Sequence, residues 1–392
     1  MKNILISGGN FVNKGAEAML YIAVYECLKR YPNCICTIQL ADGFYDVDSL
    51  DALYQLSTNK DRVTKGKLAK LKEMIFAYKK AELMLDVSGY ELCSKLGIYP
   101  SLRYIFKIAL SKWMHTKVVL MPQSFGPFQY SGIIGKLLKV AIRHYMKYPL
   151  ICFAREKESE KQLRLLVPKA KTRLSEDLVL QNGCIIDDVQ EVVPIEQLNH
   201  IEPGSIALVV NRRLYEQYGK DKIFKKYVEI LRVIIERKRN IYLLCHASDD
   251  MDICTELKAK FSEQPLVHMV GKVLSCFEFQ VLARNFDYVI AARYHSIVHS
   301  YKEGIPCLAL GWAVKYQELL ESMEQGDYLL NIGIMTTDEI RDKIEYMEQN
   351  FHKEKLAIIK LVESAQKGNC FDVMATMLRR ENNEYHKFSG VR

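Results

Sequence analysis

Long apolar runs are missing from this sequence. No stretch of ~18 consecutive apolar residues occurs, so no membrane-crossing helix is expected. The apolar run near the first methionine, Ile4-Leu5-Ile6, is too short for a secretory leader. No Cys-x-x-Cys pair exists among the eleven cysteines. Several of them (Cys34, Cys36, Cys152, Cys245) sit in apolar runs, which reads as reduced thiols of a cytosolic protein. Two glycine signatures are also absent. After Gly8-Gly9 the next glycine is Gly15, so there is no G-x-G-x-x-G, and no G-x-x-x-x-G-K-[ST] occurs. A dinucleotide-dependent dehydrogenase and a P-loop kinase are therefore disfavoured. Zinc-finger, basic-zipper and RNP-like motifs are lacking, and the net charge of +8 is modest, so no nucleic-acid partner is expected.

The sequence does contain strand-like and helix-like segments in regular alternation. With 392 residues, 49% apolar and 26% charged, the chain has the composition of a globular protein large enough for two cores. Strands are expected at 3–7, 35–40, 82–87, 117–121, 150–154 and 172–175, with helices at 16–30, 64–80, 101–112, 131–147 and 156–166. A second series follows, with strands at 206–210, 240–245, 266–270, 287–291 and 306–310 and helices between them. The intervening stretch lacks a long period and ends in the turn chemistry of Glu202-Pro203-Gly204, which marks a boundary. The expected fold is α/β, with two doubly wound Rossmann-like domains facing a cleft. Residues 1–183 form the first domain and 184–345 the second, and 346–392 supply C-terminal helices with a frayed end.

In such sheets ligands bind beyond the carboxyl ends of the strands. The second domain's loops there are cationic: Arg212 and Arg213, His246, Lys272, Arg293-Tyr294-His295-Ser296, and Lys315. Arg293–Ser296 opens a helix, whose free N–H groups favour an anion. Taken together these loops describe a pocket for a small polyanion, although any one cation could simply be solvated. Asp249 and Asp250 read as helix caps. His295 and His299 are four apart, but Ser296 stands where a zinc helix would carry Glu, so no metal is expected and His299 reads as a packed helix histidine. The first domain's loops mix amides, hydroxyls and carboxylates: Asn10, Asn13, Glu17, Ser88, Tyr90, Gln123, Ser124, Glu176 and Asp177. That mixture suits sugar hydroxyls, although Asp and Asn also favour loops for turn reasons.

The ordered motifs Asn13-Lys14-Gly15-Ala16-Glu17-Ala18, Pro122-Gln123-Ser124-Phe125-Gly126-Pro127, Ala154-Arg155-Glu156, Ser175-Glu176-Asp177, Arg293-Tyr294-His295-Ser296, Gly304-Ile305-Pro306 and Lys315 together resemble the polysaccharide pyruvyl transferase family. The resemblance covers roughly residues 3–330. It implies a glycosyltransferase-B-like fold and transfer of a pyruvyl group from phosphoenolpyruvate to two sugar hydroxyls, giving a cyclic ketal and phosphate. Phosphoenolpyruvate is then a co-substrate, and no cofactor is implied. One loop departs from the family. Val87-Ser88-Gly89-Tyr90-Glu91 stands where many members carry a run of glycines.

On this reading Arg293 and His295 bind or activate the donor, with Lys315 near them. Arg212, Arg213, Ser296 and His246 are further candidate donor ligands. His295 is the candidate acid/base, and Glu17 and Asp177 are candidate acceptors of the attacking hydroxyl's proton. Asn10, Asn13, Tyr90, Gln123 and Ser124 are the candidate acceptor-sugar ligands. The acceptor is expected to be an oligosaccharide, in particular one linked to polyprenyl pyrophosphate. The alternatives are a nucleotide-sugar glycosyltransferase of the same shape and a non-catalytic glycan- or anion-binding protein. Basic residues cluster in 59–80 and along one stripe of 131–147, Lys136, Lys139, Arg143 and Lys147. These two segments are candidate contacts with the inner face of an anionic membrane, and otherwise ordinary solvated helix faces.

Overall fold

Parallel strands buried on both faces need uninterrupted apolar runs, and the chain supplies them. Ile4-Leu5-Ile6, Leu83-Met84-Leu85, Ile206-Ala207-Leu208-Val209 and Cys307-Leu308-Ala309-Leu310 are fully buried. The computed structural model describes residues 1–389 except 60, 63–65, 183–200 and 312. The expected boundary segment thus lies largely outside the described residues.

The described chain divides into two compact α/β units. The first is built from β1 (Asn3–Ser7), α1 (Lys14–Arg30), β2 (Ile35–Gln39), β3 (Phe44–Val47), α2 (Leu50–Thr58), α3 (Lys67–Lys80) and β4 (Leu83–Asp86). It continues through α4 (Ile98–Trp113), β5 (Lys117–Gln123), α5 (Gly132–Tyr145), β6 (Ile151–Ala154), α6 (Lys157–Leu166), β7 (Thr172–Leu174) and α7 (Leu178–Gln181). Its sheet has the order β3-β2-β1-β4-β5-β6-β7. All neighbours are parallel except β3, which pairs antiparallel with β2.

The second unit holds β8 (Ile206–Val209), α8 (Arg213–Tyr218), α9 (Lys220–Glu236), β9 (Ile241–Cys245), α10 (Met251–Lys260), β10 (Val267–Val273) and α11 (Cys276–Ala283). Then come β11 (Tyr288–Ala291), α12 (Tyr294–Lys302), β12 (Cys307–Leu310), α13 (Val314–Ser322), β13 (Leu329–Leu330) and α14 (Thr337–Gln366). Its sheet, β10-β9-β8-β11-β12-β13, is parallel throughout. Two outlying segments follow the packing and not the chain order. Residues 12–15 group with the second unit, and the last helix, α15 (Cys370–Ser389), groups with the first. There the backbone N–H of Cys370 donates to Gln181 Oε1 (2.8 Å), and Arg30 pairs with Asp372 (2.5 Å). The helix continues through the tail expected to fray, as far as Ser389.

Sequence periodicity misses several short elements, among them β3, α2 and β13. β3 is a short edge strand, Phe-Tyr-Asp-Val, whose alternating polarity resembles a loop. α2 is announced by Ser49, whose hydroxyl caps Ala52 N. β13 is only two residues long. The described cysteines are buried and unbridged. No helix among the described residues is long and apolar enough to cross a membrane.

Candidate active site

The order of the second sheet reverses direction between β8 and β11, and a doubly wound sheet binds ligands at such a switch point. Here the two strands diverge into the loops carrying Asn211-Arg212 and Ala292-Arg293. Ala292 N donates to Val209 O (2.9 Å), which extends the pairing one residue beyond the strands. Asn211 Nδ2 then ties the loops together by donating to Ala292 O (2.9 Å). Tyr316 of α13 donates to the same carbonyl (3.1 Å), and Asn211 N donates to Tyr227 Oη (3.0 Å). The loops after β8, β11 and β12 are thus joined by hydrogen bonds at their roots.

Arg293, at the N-cap of α12, does not stand as a bare cation. Its Nε and Nη2 grip Asp250 at 2.5 and 2.6 Å, and Nη2 also meets Asp249 at 2.8 Å. Asp250 is fully buried and also accepts from Arg212 N (2.9 Å). This corrects the reading of Asp250 as a helix cap, because it makes no capping bond to α10. Burial pushes its carboxyl above the usual range against the pull of Arg293. Burial acts to lower the guanidinium pKa, yet the hydrogen bonds and charge of Asp250 and Asp249 raise it overall. Arg293 is therefore fixed in place and permanently charged, with Nε and Nη2 committed to Asp250. Truncating it would strand a buried carboxylate at a cost of about 3–5 kcal/mol, so an alanine variant would not report donor affinity cleanly.

Other candidate donor ligands are also revised. Ser296 is buried and its hydroxyl donates to Arg293 O (2.6 Å), so it serves the helix start and not a ligand. Arg212 is half-exposed and pairs with Asp252 (3.1 Å), and Arg213 is exposed. His246 is 3% exposed and sits edge-on to Phe279 and beside His299, with ring centroids 5.0 and 5.8 Å away. Burial first, then the charges of His299, Arg293, His295 and Lys14, push its pKa well below that of ordinary histidine. It is a neutral imidazole at pH 7 and not a cationic ligand. Its Nε2 is buried and makes no hydrogen bond among the described residues, so it can bond to a bound group, as acceptor or donor according to the tautomer. Because the folded pKa is depressed, the stability His246 permits is complete above about pH 6.5 and is lost as pH falls below it. His268, lowered chiefly by burial, adds to the same slope. Melting temperature is expected to fall from pH 7 to pH 5, and to fall less steeply in His246→Gln. Equal slopes in the two proteins would show that folding does not depress the His246 pKa.

His295 lies one residue into α12. Tyr294 stands edge-on beside it (5.3 Å), and Tyr294 in turn packs against Tyr316 (5.8 Å). Lys315 lies over the Tyr294 ring at 5.0 Å. Fully buried His299, whose Nδ1 meets Gln280 Nε2 at 2.7 Å, backs the cluster with its ring 6.4 Å from that of His295. Residues 12–15 reach the same place. A methyl group on Gly15 would overlap the His295 imidazole, so only glycine fits there. Asn13, exposed in this segment, accepts from Gly15 N (3.0 Å). Sequence reading missed this role for Gly15. A clue was available, since glycine is a poor helix former and yet occupies the first turn of α1. Lys14, Arg212, Arg213, Arg293 and Lys315 still outnumber Asp249, Asp250 and Asp252, so the region favours an anion. Among the described residues no three His, Cys, Asp or Glu are grouped to hold a metal.

The first unit's candidates behave differently. Gln123 is fully buried, accepting from Tyr104 Oη (2.9 Å) and donating to Met121 O (3.2 Å). Ser124 donates to Glu156 (2.6 Å) and accepts from Arg155 (2.8 Å). Asp177 caps α7 through Val179 N (3.0 Å) and pairs with Arg155 (2.9 Å). Buried and fully committed, these three knit the strand ends together. A sugar-binding role for Gln123 and Ser124 and a proton-accepting role for Asp177 do not fit. Glu17 is buried in the first turn of α1. Asn10 is half-buried after β1, and half-buried Tyr90 donates to Gly126 O (3.3 Å).

Several solved structures share this fold. UDP-GlcNAc 2-epimerase from Neisseria meningitidis, bound to UDP-GlcNAc, aligns with a TM-score of 0.62 at 13% identity, covering 97% of this chain and 100% of that chain. A glycosyltransferase from Rickettsia africae gives 0.56 at 14% identity over 100% and 99%. UDP-GlcNAc 2-epimerase from Methanocaldococcus jannaschii gives 0.53 at 13% identity over 88% and 92%. At such identities the likeness establishes the glycosyltransferase-B-like fold and nothing more. No curated protein shows a significant match to the chain. A sequence profile described as polysaccharide pyruvyl transferase matches residues 13–314, a span that begins at the segment touching His295 and ends beside Lys315. The chain belongs to the polysaccharide pyruvyl transferase family.

Proposed function

We propose that this enzyme transfers the pyruvyl group of phosphoenolpyruvate to two hydroxyls of one sugar in a glycan precursor. The observation that carries this reading is His295 at the start of α12, two residues after clamped Arg293, with its ring against the Gly15 backbone. Phosphoenolpyruvate is compact and bears a carboxylate and a phosphate. Fixed Arg293, Lys14 and Lys315 supply charge for both groups, and the N–H groups of the first turn of α12 add a further anion-binding element. Neutral His246 offers its buried Nε2 for a hydrogen bond to one of these groups.

Reaction begins when a proton from His295 adds to the methylene carbon, which leaves C2 electron-deficient. A first sugar hydroxyl bonds to C2 and gives up its proton. The C2–O bond to phosphate then breaks, phosphate departs with the electron pair, and the second hydroxyl closes the ketal. Both protons released by the sugar need an acceptor. His295, deprotonated in the first step, takes one of them, and the departing phosphate takes the other. Cationic side chains offset the charge on the departing phosphate.

The test is phosphate release from phosphoenolpyruvate in the presence of aryl glycosides with free vicinal or 4,6-hydroxyl pairs, with the product checked for a mass gain of one pyruvyl ketal. Phosphate release that requires the glycoside supports the assignment. Release of nucleotide from a nucleotide sugar, with no reaction of phosphoenolpyruvate, would move the protein to the glycosyltransferases.

A further inference from the structure

The outer face of one helical layer of the first unit is apolar where solvent should select polar residues. Helices α3, α4 and α5 cover the same side of the sheet, because Tyr78, Tyr104, Ile108, Leu138 and Ile142 share one core cluster. At one end Ser101 Oγ lies 2.6 Å from Tyr130 Oη, and at the other Lys112 Nζ lies 3.2 Å from His144 Nε2, so α4 and α5 run side by side. Inward, α5 buries only Gly135, Leu138 and Ile142. Outward it presents Ile133 (78% exposed), Ile134 and Leu137, and α4 presents Phe106 and Trp113 (72%), with Phe76 of α3 (68%) on the same layer. From sequence alone Ile133, Ile134 and Leu137 would be assigned to a core. Exposed apolar groups on this scale mark an interaction surface.

Charge identifies what covers it. Between Glu91 and Glu156 the chain contains no Asp or Glu. Lys112, Lys136 and Arg143 are exposed on these helices, Lys139 is half-exposed, and Lys147 follows α5. Helix α3 carries exposed Lys67, Lys72 and Lys79 against one acid, Glu73. A folded protein partner would need its own unbroken acidic rim around an apolar centre, whereas an anionic bilayer offers both chemistries everywhere: headgroup charge for Lys and Arg and acyl chain for Ile, Leu, Phe and Trp.

We propose that the outer face of α3, α4 and α5 seats this protein on an anionic membrane, with the apolar side chains inserted at the headgroup boundary. This deepens the proposed function by placing the enzyme where a polyprenyl-linked acceptor is found. Vesicle binding needs no turnover, however, so the two readings can fail separately.

Full-length protein is centrifuged with vesicles of phosphatidylcholine alone or mixed with phosphatidylglycerol, at low and high salt. Binding is expected only with phosphatidylglycerol and is expected to weaken with salt. Lys136→Gln/Arg143→Gln should lower vesicle affinity about tenfold or more, and Ile134→Ser/Leu137→Ser should abolish pelleting. Both variants should retain the parent's circular dichroism spectrum and its phosphate release with a water-soluble glycoside. Protein that stays in the supernatant under every condition overturns the proposal. So does a dimer that binds no vesicles and is dissociated by the serine pair, an outcome that assigns the face to a second copy of the chain.

Discussion

His295→Ala is expected to lower phosphoenolpyruvate-dependent phosphate release by about 10²- to 10⁴-fold, the usual contribution of a positioned acid/base. The imidazole is only half-buried and belongs to the edge of its cluster, so melting temperature should change little. A steady-state assay paired with thermal melts checks both halves. Turnover within a few fold of the parent would remove His295 from proton transfer. Gly15→Ala is a companion test that leaves the imidazole in the sequence. Its methyl group would overlap the ring and force either the ring or the 12–15 segment aside. A misplaced catalytic group costs about 10²-fold even at small displacement, so a large drop in turnover is expected from adding a single carbon. Normal activity in Gly15→Ala would mean that His295 works in a position other than the one seen.

Lys107→Met is expected to remove about 3–5 kcal/mol of stability from the first unit. Nζ of Lys107 is buried with Asp86 (2.6 Å), Glu91 (3.2 Å) and Ser88 (3.2 Å) around it, and Arg103 holds the other oxygen of Glu91 (2.8 Å). Burial alone would lower the Lys107 pKa, yet the charges of Asp86 and Glu91 raise it, so the ammonium persists. Methionine fills the space but leaves two carboxylates in a low-dielectric interior. The expected loss corresponds to roughly 10 °C or more in the melting transition. Adding Asp86→Asn to Lys107→Met should recover part of it by removing one stranded charge. A variant as stable as the parent would show that water reaches this network. The network lies at the switch point between β1 and β4, where Lys107 grips Ser88 and Glu91 on either side of Tyr90.

Much of the fold is legible without coordinates. Runs such as Ile206–Val209 announce buried parallel strands, and their alternation with amphipathic helices sets the order of elements. The edge strand β3 is not legible, because an edge needs only one apolar face and Phe-Tyr-Asp-Val reads equally well as a loop. For the site, sequence order puts Arg293 and His295 at a helix opening after a strand, and the structure agrees. Sequence order does not reveal that Arg293 is clamped by Asp250, forty-three residues away. The neutrality of His246 is likewise hidden, since burial and four neighbouring positive or potentially positive groups set it. Gln123, Ser124 and Asp177 look like ligands because they are polar residues in strand-end loops. In the folded chain the same polarity is consumed internally, since buried donors and acceptors must be paired.

The residue pattern alone determined the class of fold, the family and the short list of residues near the chemistry. Those properties follow from local periodicity and from motif order, both of which are written along the chain. Tertiary structure decided which cations are already spoken for, which histidine is uncharged, why residue 15 carries no side chain, and which face of α5 meets solvent. Each of those depends on what packs beside a group, because dielectric, partner and available space are set by neighbours brought from distant parts of the sequence.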